Sequence, residues 1–196
     1  MAPAAKTKKP GFVRIIGGEW RGRRLPVADL PGLRPSGDRA RETLFNWLQP
    51  RLRGAHCADL FAGTGVLGLE AASRGAAEVT LVEHAPLAVQ ALRAALVKLS
   101  VPGPKAGIHL EECDVLRWLG QRAPQSLDIV FIDPPFGSGL EIQALDLLIR
   151  RDLVRPAGLV YIETARTVAP LHPGLGWDLA RQQTLGEVRM VLLKKI

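Results

Sequence analysis

Past the midpoint of the chain, the apolar run LDIVFI at residues 127–132 stops at Asp133-Pro134-Pro135-Phe136. An aspartate carboxylate and a prolyl carbonyl both accept hydrogen bonds, and two consecutive prolines fix the backbone that carries them. Phe136 adds a flat apolar face. Together these suit a planar ring bearing an amino group, stacked on the phenyl ring at a gain of about 1–3 kcal/mol. An amino nitrogen conjugated to a ring shares its lone pair and is a poor nucleophile. Acceptors on its hydrogens, here Asp133 and the Pro134 carbonyl, favour a more tetrahedral nitrogen whose lone pair can attack an electrophile held opposite.

A second group lies upstream. The stretch DLFAGTGVLG at residues 59–68 fits the fingerprint G-x-G-x-x-G through Gly63, Gly65 and Gly68, and Glu83 follows twenty residues after Gly63. Two kinds of ligand suit that spacing. A dinucleotide needs loop amides against its pyrophosphate, whereas a ligand without phosphate needs only glycines that let the chain pass close. Asp59 would repel a pyrophosphate and suit a cationic group. Glu83 could accept from both hydroxyls of a ribose, and Asp114 from an adenine amino group. Each feature has an ordinary structural alternative: a tight strand-to-helix turn, a strand-end acid, an N-cap. Their coincidence at successive strand ends, with Phe61, Thr64, His84 and Val115 beside them as further candidate contacts, is what points to one ligand.

The elements that must position these groups alternate. Strands at 56–61, 78–83, 107–113, 127–132 and 158–164 are separated by helices at 66–73, 86–99, 115–120 and 140–150. That alternation predicts a doubly wound α/β fold with a mostly parallel sheet. The last two strands, 177–185 and 187–195, are divided by little more than Gly186, so they must be antiparallel neighbours. A seven-stranded sheet ending in such a hairpin resembles the class I methyltransferase fold more than a dehydrogenase. The glycine loop and Asp133 to Phe136 are correspondingly similar to the cofactor and amino-methylating motifs of that class. Methylation at carbon five of a pyrimidine would instead need a Cys thiolate, and neither Cys57 nor Cys113 lies at this strand end.

Ahead of this domain, residues 12–27 read as two short strands around Gly17-Gly18. Residues 31–37 read as a loop, and Asp38 as the N-cap of a helix whose Ala40, Leu44, Trp47 and Leu48 share one face, with Arg39, Arg41, Glu42 and Asn46 pointing elsewhere. The predicted division is a disordered basic tail at 1–10, an extension at 11–54 and the main domain at 55–196. Residues 1–54 hold 12 Lys and Arg against four acids, while the remainder holds 14 against 15. The whole basic excess therefore lies in the first quarter, which points to a polyanionic partner. No apolar run approaches the roughly 18 residues of a membrane span, and the N-terminus lacks the apolar stretch of a signal peptide. A cytoplasmic monomer is expected. The four histidines and two cysteines lack metal-ligand spacing, so no metal is expected.

Four stretches, RIIGGEWRGRRLPV, LRPSGDRARETLFNWL, DLFAGTGVLGLEAASRGA and DIVFIDPPF, together resemble the bacterial small-subunit ribosomal RNA guanine-N2-methyltransferases. The resemblance runs from about Arg14 to the last strand and includes the N-terminal extension. It implies S-adenosylmethionine as donor, and as substrate the exocyclic amino group of a guanine in ribosomal RNA within an assembling small subunit. By position, Asp133, Pro134 and Phe136 would meet the base, with Pro135 stiffening the turn. Gly63, Gly65, Glu83 and Asp114 would hold the cofactor, and Arg34, Arg39 or Arg41 would touch RNA, joined by Arg14, Arg21, Arg23 and Arg24 of the first strands. The chain departs from many relatives at His84, which stands where a further acid is common. Three rival readings remain at this point: an adenine-amino DNA methyltransferase, a nicotinamide-dependent oxidoreductase, and a non-catalytic RNA-binding module.

Overall fold

The computed structural model describes residues 11–27, 37–99, 106–169 and 174–196. The expected basic tail, the loop carrying Arg34, and short stretches after α3 and β7 fall outside these residues. Strands β1 (Phe12–Arg14) and β2 (Arg24–Pro26) precede α1 (Asp38–Leu52). Then come β3 (His56–Asp59), α2 (Val66–Ser73), β4 (Glu78–Glu83), α3 (Pro86–Leu99), β5 (Gly107–Glu112) and α4 (Val115–Gly120). The chain continues through β6 (Leu127–Ile132), α5 (Leu140–Arg150), β7 (Val154–Ala165), β8 (Trp177–Leu185) and β9 (Val188–Lys195).

Seven strands form one sheet in the order β5-β4-β3-β6-β7-β9-β8. The first five are parallel, and β9 runs antiparallel to both β7 and β8. The α/β fold and the terminal hairpin read from the sequence are therefore the observed ones. Both faces of the sheet are covered, which is why its central strands are nearly continuous apolar runs. Ile129, Phe131, Leu159, Tyr161, Met190 and Leu192 meet α1, α2 and α3 on one face. Their neighbours Val130, Ile132, Val160, Ile162, Val191 and Leu193 meet α4 and α5 on the other.

The N-terminal strands depart from a simple hairpin around two glycines. Each is three residues long, and residues 15–23 between them lie on the end of α2. The Ile16 N–H donates to Glu70 Oε2 at 2.7 Å and the Trp20 N–H to Ser73 Oγ at 2.8 Å, while Ser73 Oγ donates to the Gly17 carbonyl at 2.6 Å. Gly18 has φ +75°, and a Cβ there would meet the Ser73 carbonyl oxygen at 1.9 Å, so only glycine permits this contact. Ile15 and Trp20 join the same apolar cluster as Leu44, Leu69 and Phe131. Asp38 is the first residue of α1 rather than its cap; Gly37 holds the cap position without a side-chain hydrogen bond.

Candidate active site

The strand order reverses between β3 and β6, since the chain first builds outward through β4 and β5 and then returns to the other side of β3. Ligands of open α/β sheets gather beyond the carboxyl ends of strands at such a point. Asp59 is paired with Phe131 in the β3–β6 register, so Asp133 stands two residues beyond it, across the same gap. The loop after β3 is tied to its neighbours on both sides. The Leu60 N–H donates to the Phe131 carbonyl at 3.1 Å and the Ala62 N–H to the Val82 carbonyl at 3.0 Å.

Within the loop, every fingerprint glycine has its amide occupied. The Gly63 N–H donates to Glu83 Oε2 at 2.8 Å, Gly65 to the Ala62 carbonyl at 2.6 Å, and Gly68 to Asp59 Oδ2 at 2.9 Å. A pyrophosphate would find none of these three donors available, which counts against the dinucleotide reading. The last two glycines serve packing instead. A Cβ on Gly65 would lie 2.5 Å from Leu92 Cδ2, and one on Gly68 would lie 2.3 Å from Leu81 Cδ2.

Glu83 is buried, and its other oxygen, Oε1, accepts from the His84 and Ala85 N–H groups, each at 2.8 Å. Three donated hydrogen bonds hold its carboxylate rigidly under the loop. The His84 ring is mostly exposed at the rim. Asp114 caps α4, with Oδ1 accepting the Arg117 N–H at 2.9 Å, and its side chain is otherwise exposed. The N-cap alternative is thus realised, and one oxygen still faces outward. Phe61 is half-buried, and Thr64 and Val115 are buried beneath the rim.

Asp59 corrects one expectation. Its side chain is sealed below α2, and instead of facing a ligand as a free anion it anchors the first turn of that helix through Gly68. Burial pushes its carboxyl up to about 7, the Gly68 N–H partly opposing this and the nearby Glu83 charge adding to it.

Asp133 is half-buried, Pro134 is buried, and Pro135 and Phe136 stand exposed, Phe136 at 56%. The structure also reveals an acid that the sequence reading passed over. Glu163, buried near the carboxyl end of β7, accepts the Tyr161 hydroxyl at 2.6 Å. Burial, then the Glu163 charge and hydrogen bond, then the Asp133 charge hold that hydroxyl well above its usual range, so it stays a donor. The signal was present: Glu163 ends an apolar strand beside the one that leads to Asp133.

The arginines of the extension divide into two kinds. Arg21, Arg24 and Arg39 are exposed, and Arg14 is exposed while bonding Asp38 at 2.8 Å. Arg23 is half-buried and donates to the Leu99 carbonyl at 3.2 Å. Arg41, read as a candidate RNA contact, has no exposed surface. Its guanidinium donates to the Arg14 carbonyl at 2.9 Å and to Asp38 Oδ1 at 2.6 Å, with Glu70 3.6 Å away. It ties α1 to β1 and α2 and cannot meet RNA. Between them Arg14 and Arg41 outweigh the desolvation of Asp38 and hold its carboxyl below the usual value. Among the described residues, no group of three or more His, Cys, Asp or Glu is placed to hold a metal, and no helix is long and apolar enough to cross a membrane.

Residues 13–194 match the family described as Conserved hypothetical protein 95. The chain is 43% identical over 195 residues to ribosomal RNA small subunit methyltransferase D of Escherichia coli strain K12, covering 96% of this chain and 95% of that protein. It is likewise 43% identical over 179 residues to the protein of the same name from Haemophilus influenzae, covering 91% of each. Among solved structures it resembles a candidate methyltransferase from Escherichia coli with a TM-score of 0.81 and 40% identity, over 94% of this chain and 98% of the other.

Proposed function

The chain belongs to the ribosomal RNA small subunit methyltransferase D family, and we propose that it methylates the exocyclic amino group of a guanine in small-subunit ribosomal RNA, using S-adenosylmethionine. The observation that carries this reading is the position of Asp133-Pro134, at the end of β6 and across the switch point from the glycine loop.

The donor set fits the cofactor. Glu83, Asp114 and Asp133 line the strand ends, while the loop's glycine amides are spent internally. A rim rich in acceptors suits ribose hydroxyls, an adenine amino group and a net cationic sulfonium centre, and repels a pyrophosphate. Glu83 would hold the ribose and Asp114 the adenine, with Phe61, Gly63, Thr64, His84 and Val115 around them. When bound, S-adenosylmethionine supplies an electrophilic methyl group.

The remaining work falls to this chain's own residues. The Asp133 carboxylate and Pro134 carbonyl hold the two amino hydrogens, which turns the nitrogen lone pair toward the donor. Pro135 limits the motion of both acceptors. Phe136 supports the base from one side by stacking. When nitrogen bonds to carbon it sheds one proton, and the Asp133 carboxylate receives it. Arg21, Arg24 and Arg39 supply exposed charge for the RNA backbone, with RNA presented in an assembling small subunit and the protein acting as a cytoplasmic monomer.

The test is Asp133→Ala. Transfer of labelled methyl groups to small-subunit RNA should be lost while S-adenosylmethionine affinity stays within a few-fold. A fully active variant would overturn the assignment. Mass mapping of the product separates methylguanine from methyladenine, and hence this reading from an adenine-amino enzyme.

A further inference from the structure

A second feature lies at the opposite rim of the sheet. A cleft of about 300 Å³ opens between the end of α1 and the start of β7, lined by Arg51, Arg53, Asp128 and Arg155 among others. Its floor comes from an irregularity in β7. Leu127 pairs with Val154 and Ile129 with Leu159, so residues 155–158 bulge out opposite Asp128 alone. Ala157 within the bulge has φ +62°, a conformation that side chains other than glycine rarely take. Gly158 follows, where a Cβ would lie 2.9 Å from the Asp128 carbonyl oxygen. Such local strain persists where the surroundings enforce it, and it often marks a functional surface.

The charges in this cleft do not balance. Among the described residues Asp128 is the one acid lining it, and it is already engaged by Arg155 Nη1 at 2.7 Å and by the His56 N–H at 2.8 Å. Arg155 is further fixed by donating from Nε to the Gln125 carbonyl at 3.0 Å. Arg51 and Arg53 are exposed and have no ion pair among the described residues. Two uncompensated guanidiniums thus sit on the wall of the cleft, beside a third whose position is set by an acid. Guanidinium forks of this kind match phosphate oxygens.

We propose that this cleft binds backbone phosphates of the RNA substrate, on the side of the sheet away from the reacting base. The proposal rests on RNA being the substrate. β6 separates the cleft from Asp133 by six residues, or roughly 20 Å. Arg51 and Arg53 therefore hold the RNA well away from the reacting base.

The experiment is a double variant of the full chain, Arg51→Gln with Arg53→Gln, titrated with small-subunit RNA between about 50 and 200 mM salt. Loss of two phosphate contacts should lower the slope of log affinity against log salt by about 1.4–1.8. S-adenosylmethionine affinity should be unchanged. The Arg51→Lys, Arg53→Lys pair keeps both charges and should retain most of the slope. These arginines also suit the carboxyl end of α1, and a purely structural role there would move the melting temperature but leave the slope alone. An unchanged slope in the Gln pair overturns the proposal. So does a cleft that takes millimolar inorganic phosphate while RNA binding ignores both changes. Methyl transfer by the unaltered chain is measured on the same RNA. Its absence would fail the reading of the active site, whereas transfer with an unaltered slope would fail the cleft alone.

Discussion

Glu83 Oε2 accepts the Gly63 N–H at 2.8 Å, joining the acid at the end of β4 to the first glycine of the loop after β3. Because Oε1 accepts two further N–H groups, the side chain acts as a three-point clamp. Glu83→Gln keeps size and shape but places an NH₂ where an acceptor is required. At least one buried donor then loses its partner, at a cost of about 1–3 kcal/mol. The variant should melt lower and bind S-adenosylmethionine more weakly, by calorimetry on both counts. Unchanged values would show that the loop keeps its shape without the carboxylate.

Asp59 gives the fold a pH dependence. Its carboxyl stands at about 7 in the folded chain against an ordinary value of 3.8, mainly because it is buried. Between those values the folded state keeps a proton that the unfolded state releases. The contribution of this group to stability is therefore complete below about pH 4, falls as pH rises through 7, and is level above. Asp59→Asn retains an acceptor for the Gly68 N–H and cannot ionise. Its stability relative to the unaltered protein should improve from about pH 4 to about pH 7 and then level off in urea titrations. Parallel curves would show that Asp59 does not titrate in that window.

Arg41 and the exposed arginines should separate by assay. Arg41→Met removes one side of a buried ionic contact and leaves Glu70 short of a partner, a change that commonly costs about 3–5 kcal/mol. A large fall in melting temperature is expected, with RNA affinity falling only as far as folding does. Arg21→Gln with Arg24→Gln should leave the melting temperature alone and flatten the salt dependence of RNA binding. The reverse pattern would undo this division.

Phe136 is 56% exposed, so its truncation costs the fold little. Phe136→Ala should raise the KM for RNA and slow transfer through loss of roughly 1–3 kcal/mol of stacking, with S-adenosylmethionine affinity retained. Equal losses for both ligands would place the ring elsewhere in the site.

These contrasts show which parts of the molecule were legible in the sequence. Strand-end residues were readable because a parallel sheet puts every loop of one kind on one rim; Gly63, Glu83, Asp114 and Asp133 follow from the alternation of elements alone. The helical face of α1 was read incompletely. Periodicity picked out Ala40, Leu44 and Leu48, but Phe45 and Arg41 are also fully buried, because α1 is covered by α2 as well as by the sheet. Nothing local to Arg41 announces Glu70, which lies on a helix still to come in the chain. Asp59 and Glu163 present the same difficulty in another form: an acid at a strand end looks alike whether it faces ligand or is folded inward against an amide or a phenol.

The late strand β9 lies between β7 and β8, inside the sheet rather than at its margin. A chain cut short at Gly186 would keep every residue assigned to the chemistry and yet could not close its scaffold. The open side of β7, with Tyr161 and Glu163, would be left for some other molecule's backbone to pair with. Premature stops near the end of the coding region should therefore yield aggregating or degraded protein rather than a slightly shortened enzyme.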